Sequence, residues 1–219
     1  MDKKDLIPHS PVRYFDVTNA ALKDGEIGLI TAKKGLGKTS ILVQFGIDAL
    51  LNGKSLVHVS FDQQSSNVIA WYSSVLSEIS KKKNFNLDDI YEDIVRDRTI
   101  LNFNQETFTL PKVVSTLKAL KEGGIKLGCI VVDGLDLAKT SKNDIETFAK
   151  FVKDEKLTAW FSYTSEACEL KDTLEAEKLE AFTSAAHLAA EGKGLTLSIL
   201  KNGTGKVNLD TKTLLMTKN

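Results

Sequence analysis

The stretch from Ile27 to Gln44 constrains the fold of this 219-residue chain more than any other, because it joins an apolar segment, a glycine-containing loop and an amphipathic segment. The apolar run 27–30 predicts a short buried strand, and the run 38–51 predicts a helix. Between them, positions 32–39 have the sequence Ala-Lys-Lys-Gly-Leu-Gly-Lys-Thr. A strand, a glycine loop and a helix in this order are typical of a loop whose backbone N–H groups point at one anion.

This loop follows the phosphate-binding pattern Gly-x-x-x-x-Gly-Lys-Ser/Thr with one departure, since Ala32 stands at its first position. An alanine methyl group is tolerated there if φ of the residue is negative. We expect Lys38 to contact the β- and γ-phosphates and the Thr39 hydroxyl to bind Mg²⁺. The nucleotide-binding residues predicted from the pattern are Ala32, Lys33, Lys34, Gly35, Leu36, Gly37, Lys38, Thr39 and Ser40.

Further strands and helices alternate along the chain after this loop. Strands are predicted at 55–61, 99–103, 129–133 and 157–163, and helices at 65–79, 86–94, 110–121 and 143–152. The run 129–133 is continuously apolar and ends in Asp133, as expected for a central parallel strand covered on both faces. Alternating strands and helices predict an α/β fold with a mostly parallel sheet.

Polar residues follow three of the predicted strands and are expected to line one crevice, because ligands of open parallel sheets bind beyond the carboxyl ends of the strands. Asp62 and Gln63 follow the second strand, and Thr164–Glu166 follow the strand 157–163. Asp133 is expected to meet Mg²⁺ through water, so that Thr39 and Asp133 form the predicted metal site.

The sequence predicts a surface arm at the start of the chain and a hairpin at its end. Residues 1–14 contain Pro8 and Pro11 and no clear periodicity, and predict an arm on the surface of a domain that spans 15–219. Segment 175–188 is compatible with a helix or with the start of an edge strand. The alternation at 195–200 and 207–215, around the turn 201–205, predicts a C-terminal antiparallel hairpin.

Composition argues against a global electrostatic attraction to nucleic acid or to acidic membranes, because 29 basic and 29 acidic residues give zero formal net charge. Lysines 81–83 are the one basic run, and they are expected to complement a helix C-terminus. The sequence has no run of 18 apolar residues, and its first residues lack the apolar core of a signal peptide. We therefore expect no membrane span and a cytoplasmic location, and we consider nucleic-acid binding unlikely.

The order of these features resembles that of the RecA-like ATPase cores, most closely the KaiC-type and DnaB-type branch, over about residues 15–215. The resemblance implies a three-layer P-loop domain that binds ATP or ADP with Mg²⁺. It implies that Asp62 takes the position of the glutamate that orients the attacking water. It also implies that Lys201 senses a γ-phosphate across a subunit boundary, while Gly203 stands where those rings carry an arginine.

The loop is also similar to that of the MinD and ParA type of ATPase, which places an additional lysine at the position of Lys33 and works as a nucleotide sandwich dimer. Those loops normally have glycine at the position of Lys34, begin near the N-terminus and belong to sheets without a terminal antiparallel hairpin. This resemblance is the alternative to the RecA-like one.

The expected function is that of a Mg·ATP-binding protein with weak ATPase activity that regulates self-assembly or a protein partner. An aspartate for the glutamate and a glycine for the arginine both argue for slow hydrolysis, since such an arginine contributes about a thousandfold or more in phosphoryl transfer. A nucleotide-gated binding module without hydrolysis is a second hypothesis. A motor or recombinase on DNA ranks lower, because the chain has no basic stretch beyond lysines 81–83.

Overall fold

A computed structural model describes residues 3–61, 63–83, 86–88 and 90–218, and in this part of the chain a nine-stranded sheet runs between two sets of helices. The strands are β1 (Glu26–Ala32), β2 (Leu56–Ser60), β3 (Arg98–Asn102), β4 (Cys129–Asp133), β5 (Thr158–Thr164), β6 (Ser184–Glu191), β7 (Gly194–Lys201), β8 (Lys206–Leu209) and β9 (Met216–Thr217). The α-helices are α1 (Arg13–Asp16), α2 (Lys38–Leu51), α3 (Ser65–Lys83), α4 (Tyr91–Val95), α5 (Leu110–Glu122), α6 (Lys142–Asp154) and α7 (Ala176–Leu179), and Lys3–His9 and Leu170–Asp172 form 3₁₀ turns.

The sheet is parallel over its first six strands and antiparallel over its last three. The strand order is β3-β2-β4-β5-β1-β6-β7-β8-β9, so β5 lies between β1 and β4. Because β1 to β6 run in one direction, their carboxyl ends meet along one side of the sheet, called here the carboxyl-end edge, and their starts form the amino-end edge. The predicted α/β class with a mostly parallel sheet is confirmed.

Alternation along the buried strands produces a three-layer arrangement. In β1, Ile27 and Leu29 belong to the core that includes α5 and α6, while Ile30 and Ala32 belong to the core that includes α2 and α3. Side chains of a strand point alternately to opposite faces, so a strand covered on both sides must be apolar throughout. This requirement explains why residues 27–30 of β1 and 129–132 of β4 are continuous apolar runs.

The N-terminal segment is more deeply packed than a surface arm. Leu6 and Phe15 are completely buried and Val12 is 4% exposed. Phe15 makes edge-to-face contacts with Phe45 of α2 and Trp160 of β5, with ring centroids 5.0 and 5.6 Å apart. Pro8 lies inside the first 3₁₀ turn, so the proline that suggested a loose arm instead belongs to a short ordered element.

The ambiguous segment 175–188 contains both of the elements that the sequence allowed. It begins with the single helical turn α7 and continues into β6. β6 is not an edge strand, since it pairs with β1 on one side and with β7 on the other. The predicted helix at 86–94 is shorter in the structure, where α4 spans Tyr91–Val95 and residues 84, 85 and 89 lie outside the described part.

The predicted C-terminal hairpin is confirmed by the antiparallel pairing of β7 and β8, but its second strand ends at Leu209. Residues 210–215 form a tight turn that leads into β9. None of the helices in the described ranges has the length and apolar character that a bilayer crossing requires.

Candidate functional site

The loop between β1 and α2 has the backbone that an anion-binding turn needs. Gly35 and Gly37 have φ angles of 84° and 107°, a region that glycine enters without steric penalty. Gly37 is the N-cap of α2 and, having no side chain, cannot occupy the N–H groups of the first helical turn. Those N–H groups and the positive end of the helix therefore face the loop and are available to an anion.

Ala32 meets the condition that its departure from the pattern imposes. It is the last residue of β1 in extended conformation, paired with Thr164 on one side and Leu188 on the other. Its carbonyl oxygen accepts hydrogen bonds from the backbone N–H of Ser165, at 3.0 Å, and from the Lys38 ammonium group, at 3.3 Å. The methyl group thus replaces glycine without disturbing the strand end.

The Lys38 ammonium group spans the base of the loop, because it also donates to the Lys33 carbonyl oxygen at 3.3 Å. These carbonyl contacts hold the charge close to the first turn of α2. Lys33 and Lys34 are exposed, and the Lys33 ammonium group lies 3.5 Å from the carboxylate of the exposed Glu166. The loop therefore combines one inward lysine with two lysines at its surface.

Thr39 and Asp133, the two predicted metal ligands, are brought together by the fold. The Thr39 hydroxyl donates to Asp133 Oδ2 at 2.7 Å, although 94 positions separate the two residues. Asp133 ends β4 and is only 3% exposed. Mg²⁺ is bound in nucleotide sites by one or two protein oxygens, together with phosphate oxygens and water, so this pair fits a bound Mg²⁺ without a larger acidic cluster.

Ser162 is a member of this site that the sequence did not identify. Its hydroxyl donates to Asp133 Oδ1 at 2.5 Å and accepts from the Gly134 N–H at 2.9 Å. Burial raises the pKa of Asp133, whereas the hydrogen bonds from Ser162 and Thr39 and the charge of Lys38 act in the opposite direction. Two hydroxyl donors therefore orient both oxygens of a carboxylate that is removed from water.

Leu36 and Ser40 complete the predicted nucleotide-binding set, with different exposure. Leu36 is partly buried and packs against the core on the α2 side. Ser40 is completely buried, and its hydroxyl has no hydrogen-bond partner within the described residues. A ligand contact through the Ser40 hydroxyl would therefore require the first turn of α2 to shift, whereas the Ser40 N–H belongs to the first turn that faces the loop.

Asp62, the predicted general base, lies outside the described residues, so its role remains a prediction. Its neighbours hold the turn after β2 at the carboxyl-end edge. Ser60 Oγ accepts from the Gln63 N–H at 3.1 Å and donates to the Gln63 carbonyl oxygen at 3.0 Å. The same carbonyl oxygen accepts from the Asn102 amide.

Lys201 lies away from the loop between β1 and α2 of its own chain. Lys201 pairs with Ala185, and Ala185 pairs with Leu29 of β1. Because Leu29 precedes Ala32 by three residues, Lys201 lies about 10 Å from the level of Ala32, measured along the strands. Its ammonium group donates to the Leu179 carbonyl oxygen at 3.0 Å, and burial lowers its pKa. The predicted contact with a neighbouring subunit remains a prediction.

The turn that follows Lys201 packs against the N-terminal part of the same chain. The Thr204 N–H donates to the Thr18 carbonyl oxygen at 3.2 Å. Gly203 has a φ of 149°, and a Cβ atom there would lie 2.5 Å from the Thr18 oxygen. An arginine could not replace Gly203 without displacing this contact, so glycine is required for the packing of the turn.

A separate cavity lies at the amino-end edge, away from the loop. It has a volume of about 430 Å³ and is lined by the aromatic side chains of Phe15, Phe45 and Trp160 and by Asp16 and Asp48. We call these five residues the aromatic cleft. Burial and the nearby charge of Asp48 raise the pKa of Asp16 to about 6. Within the described residues, no group of three or more histidine, cysteine or acidic side chains has the geometry of a metal site.

Comparison with known proteins identifies one family. A family model described as "Nephrocystin 3, N-terminal" matches residues 16–166, which is 151 of the 219 residues. The matched region contains β1 to β5, the loop, Asp133 and Ser162, and ends before β6. No curated protein matches the chain.

Proposed function

The chain belongs to the Nephrocystin 3, N-terminal family, and from this premise and the geometry of the loop we propose that it is a Mg·ATP-binding protein. Residues 15–219 would form a RecA-like P-loop domain, similar to the KaiC-type and DnaB-type cores. The protein would hydrolyse ATP slowly and use the bound nucleotide to regulate self-assembly or a protein partner.

The observation that carries the proposal is the arrangement of the loop, Lys38, Thr39 and Asp133. Gly35 and Gly37 have positive φ angles, which suit a tight turn around an anion, and the Lys38 ammonium group donates to two carbonyl oxygens of the loop. An exposed glycine turn has no need of a lysine held by two loop carbonyls. A chain of phosphates offers the negative charge that this arrangement would bind.

Thr39 and Asp133 support the participation of Mg²⁺. A bound Mg²⁺ would neutralise charge on the β- and γ-phosphates. The Thr39 hydroxyl and the Asp133 carboxylate lie 2.7 Å apart and would be its protein ligands, directly or through water. Ser162 would keep Asp133 in position while Thr39 exchanges its hydrogen bond for a metal contact.

Slow hydrolysis is supported by the environment of the C-terminal hairpin. Lys201 donates to a carbonyl oxygen of its own chain, and the turn with Gly203 packs on Thr18. Lys201 would have to break its hydrogen bond to Leu179 to reach a neighbouring nucleotide, and Gly203 has no side chain that could reach one. Asp62 remains the proposed general base, and its carboxylate is one methylene group shorter than the glutamate of the resembling family.

The MinD and ParA type is the alternative, and it rests on Lys33. That residue is exposed and its contact with Glu166 is long, at 3.5 Å between two largely exposed side chains. It could therefore turn toward a second copy of the chain. The antiparallel hairpin of β7 and β8 counts against this alternative, because sheets of that type have no such hairpin.

The central test compares Lys38→Ala with Lys150→Ala in ATP binding. Loss of the inward lysine should weaken binding about 10- to 100-fold, which corresponds to the contribution of about 1.5–3 kcal/mol from hydrogen bonds to a charged group. Lys150→Ala removes the same charge from an exposed position of α6, outside the predicted nucleotide-binding residues, and should change binding less than threefold. Equal effects of the two variants, or no ATP binding by the wild type, would contradict the proposal.

Turnover and assembly distinguish the remaining hypotheses. Light scattering should be measured without nucleotide, with ADP and with a non-hydrolysable ATP analogue, beside phosphate release by the wild type and Asp62→Ala. A change in mass with ATP and residual hydrolysis that Asp62→Ala abolishes would support the regulatory ATPase. The same change with hydrolysis unaffected by Asp62→Ala would favour the nucleotide-gated module, and brisk turnover by a monomer would contradict weak catalysis.

A further inference from the structure

The turn formed by residues 210–215 holds a leucine in an unfavourable backbone conformation. Leu214 has a φ of 57°, a region that glycine and asparagine enter far more readily. Its N–H donates to the Asp210 carbonyl oxygen at 2.8 Å, and the Asp210 N–H donates to the Leu215 carbonyl oxygen at 2.9 Å. The Asp210 carboxylate also accepts from the backbone N–H groups of Lys212 and Thr213, both at 2.9 Å. These hydrogen bonds within the turn hold its backbone in this conformation.

Gln44 fixes this turn to the helix that begins at the phosphate-binding loop. The side chain is completely buried, which is unusual for glutamine. Its Nε2 donates to the Leu214 carbonyl oxygen at 2.8 Å, and its Oε1 accepts from the Met216 N–H at 2.9 Å. One amide therefore holds the backbone on both sides of Leu215, directly after Leu214.

These contacts bring Leu214 against the loop itself. A Cβ atom at Gly37 would lie 2.9 Å from Leu214 Cδ1, so the leucine methyl group lies beside the N-cap of α2. Leu214 is only partly buried, as is Leu36 in the loop. An apolar, solvent-accessible wall thus borders the point from which the N–H groups of α2 would hold phosphate.

A strained residue that the surrounding structure holds in place points to a functional role, because glycine would form the same turn at lower energy. Tripolyphosphate alone would need no apolar wall. A nucleoside attached to the phosphates, in contrast, must leave the loop across the adjacent surface and presents a flat, largely apolar base. Apolar walls with few polar groups are what such ligands bind.

We propose that Leu214 is a nucleoside-binding residue, against which the base or ribose of a bound nucleoside triphosphate packs, and that Gln44 is the positioning residue that holds it over the loop. This inference rests on the proposed function, since it assigns the part of the ligand beyond the phosphates. It adds the C-terminal turn, which lies outside the family match, to the site.

The test compares the binding of ATP and of inorganic tripolyphosphate to wild type, Leu214→Ala and Leu214→Met. Leu214→Ala should weaken ATP binding about five- to tenfold, as expected if the ligand covers about half of the three carbon atoms that are lost, and should leave tripolyphosphate binding within about twofold. Leu214→Met keeps the apolar wall and should bind ATP nearly as the wild type does. Lys212→Ala, in the exposed part of the same turn, is the matched control for the stability of the turn and should affect neither ligand.

Two results would overturn the nucleoside contact while leaving the phosphate site intact. The first is an equal loss of ATP and tripolyphosphate binding in Leu214→Ala, which would mean that the leucine only shapes the loop. The second is wild-type binding of tripolyphosphate that is as tight as that of ATP. If the wild type binds neither ligand, the proposed function fails and this inference fails with it. Thermal unfolding of each variant verifies that the protein compared is folded.

Discussion

Each edge of the parallel sheet holds a carboxylate with a raised pKa, but the surroundings of the two carboxylates differ. At the carboxyl-end edge, Asp133 accepts hydrogen bonds from the hydroxyl groups of Thr39 and Ser162, so each of its oxygens has a donor. At the amino-end edge, Asp16 lies in the aromatic cleft near the carboxylate of Asp48, which repels it. Burial raises the pKa of Asp133 and of Asp16 alike.

This difference shows that a raised pKa alone does not identify a ligand site. Such shifts occur at functional sites and at structural positions. Asp133 differs in having hydroxyl donors on both oxygens, next to a helix N-terminus and an inward lysine, and this geometry is what the proposed ligand role rests on. A carboxylate beside stacked aromatic rings instead indicates packing of the N-terminal segment, since Phe45 and Trp160 already stack on each other at 4.3 Å.

Phe15→Ala should give the largest effect and tests whether the aromatic cleft is structural. Phe15 is completely buried between Phe45 and Trp160, so truncation should lower the free energy of unfolding by about 3–5 kcal/mol. ATP affinity, measured where the variant is still folded, should not change. Urea denaturation and ATP titration measure the two quantities.

Val17→Ala is the matched control for Phe15→Ala, because Val17 lies two residues further along and is 78% exposed. It should change the free energy of unfolding by less than about 0.5 kcal/mol. A Phe15→Ala variant that is nearly as stable as the wild type would contradict a structural role of the aromatic cleft. A variant that loses ATP binding while folded would show that the two edges are not separate in function.

Asp133→Asn should have an intermediate effect, and it should act on binding and not on folding. Asparagine keeps an acceptor for one hydroxyl and removes a buried charge, so the free energy of unfolding should be equal or slightly higher. Loss of the carboxylate should weaken ATP binding about 10-fold or more in the presence of Mg²⁺ and little in its absence. Isothermal titration with and without EDTA, at one pH, separates these quantities.

Asp136→Asn is the control for Asp133→Asn, since it makes the same charge change in the loop that follows β4. The Asp136 carboxylate lies 3.2 Å from the Lys139 ammonium group, whereas the Thr39 hydroxyl donates to Asp133. It should leave the Mg²⁺ dependence of ATP binding as it is in the wild type. A Mg²⁺ dependence that survives in Asp133→Asn would contradict the metal role of Asp133.

The parts of the fold that rest on local patterns could be predicted from the sequence. The strand, loop and helix around Lys38 follow from apolar runs and glycine spacing, and the apolar run that ends in Asp133 is a buried strand as expected. The hairpin of β7 and β8 follows from alternation around a glycine turn. In each case the residue pattern that predicts the element lies within the element itself.

The parts that depend on distant segments could not be predicted. Ser162 joins the site because β5 lies between β1 and β4. The residues around Ser162 in the sequence do not indicate this strand order. Gln44 holds Leu214 across 170 positions, and a glutamine in an apolar helix gives no indication of its partner. β6 was ambiguous because a short alanine-rich run fits a buried helix and a buried strand equally well.

Asp16→Asn should give the smallest effect, which appears in the pH dependence of stability. The Asp16 pKa is about 6 in the folded protein, against about 3.9 in an unfolded chain. Between these values the folded state holds a proton that the unfolded state has lost, so this group's stabilising contribution is complete below about pH 4 and disappears as the pH rises through 6. Because Asp16 is exposed on one side, the change should be about 1 kcal/mol or less.

Urea denaturation from pH 4 to 7 should show this decline in the wild type, a smaller decline in Asp48→Asn, where the repelling charge is gone, and none from this group in Asp16→Asn. An undiminished decline in Asp16→Asn would mean that the aromatic cleft does not desolvate this carboxylate, and the contrast between the two edges would then rest on hydrogen bonding alone.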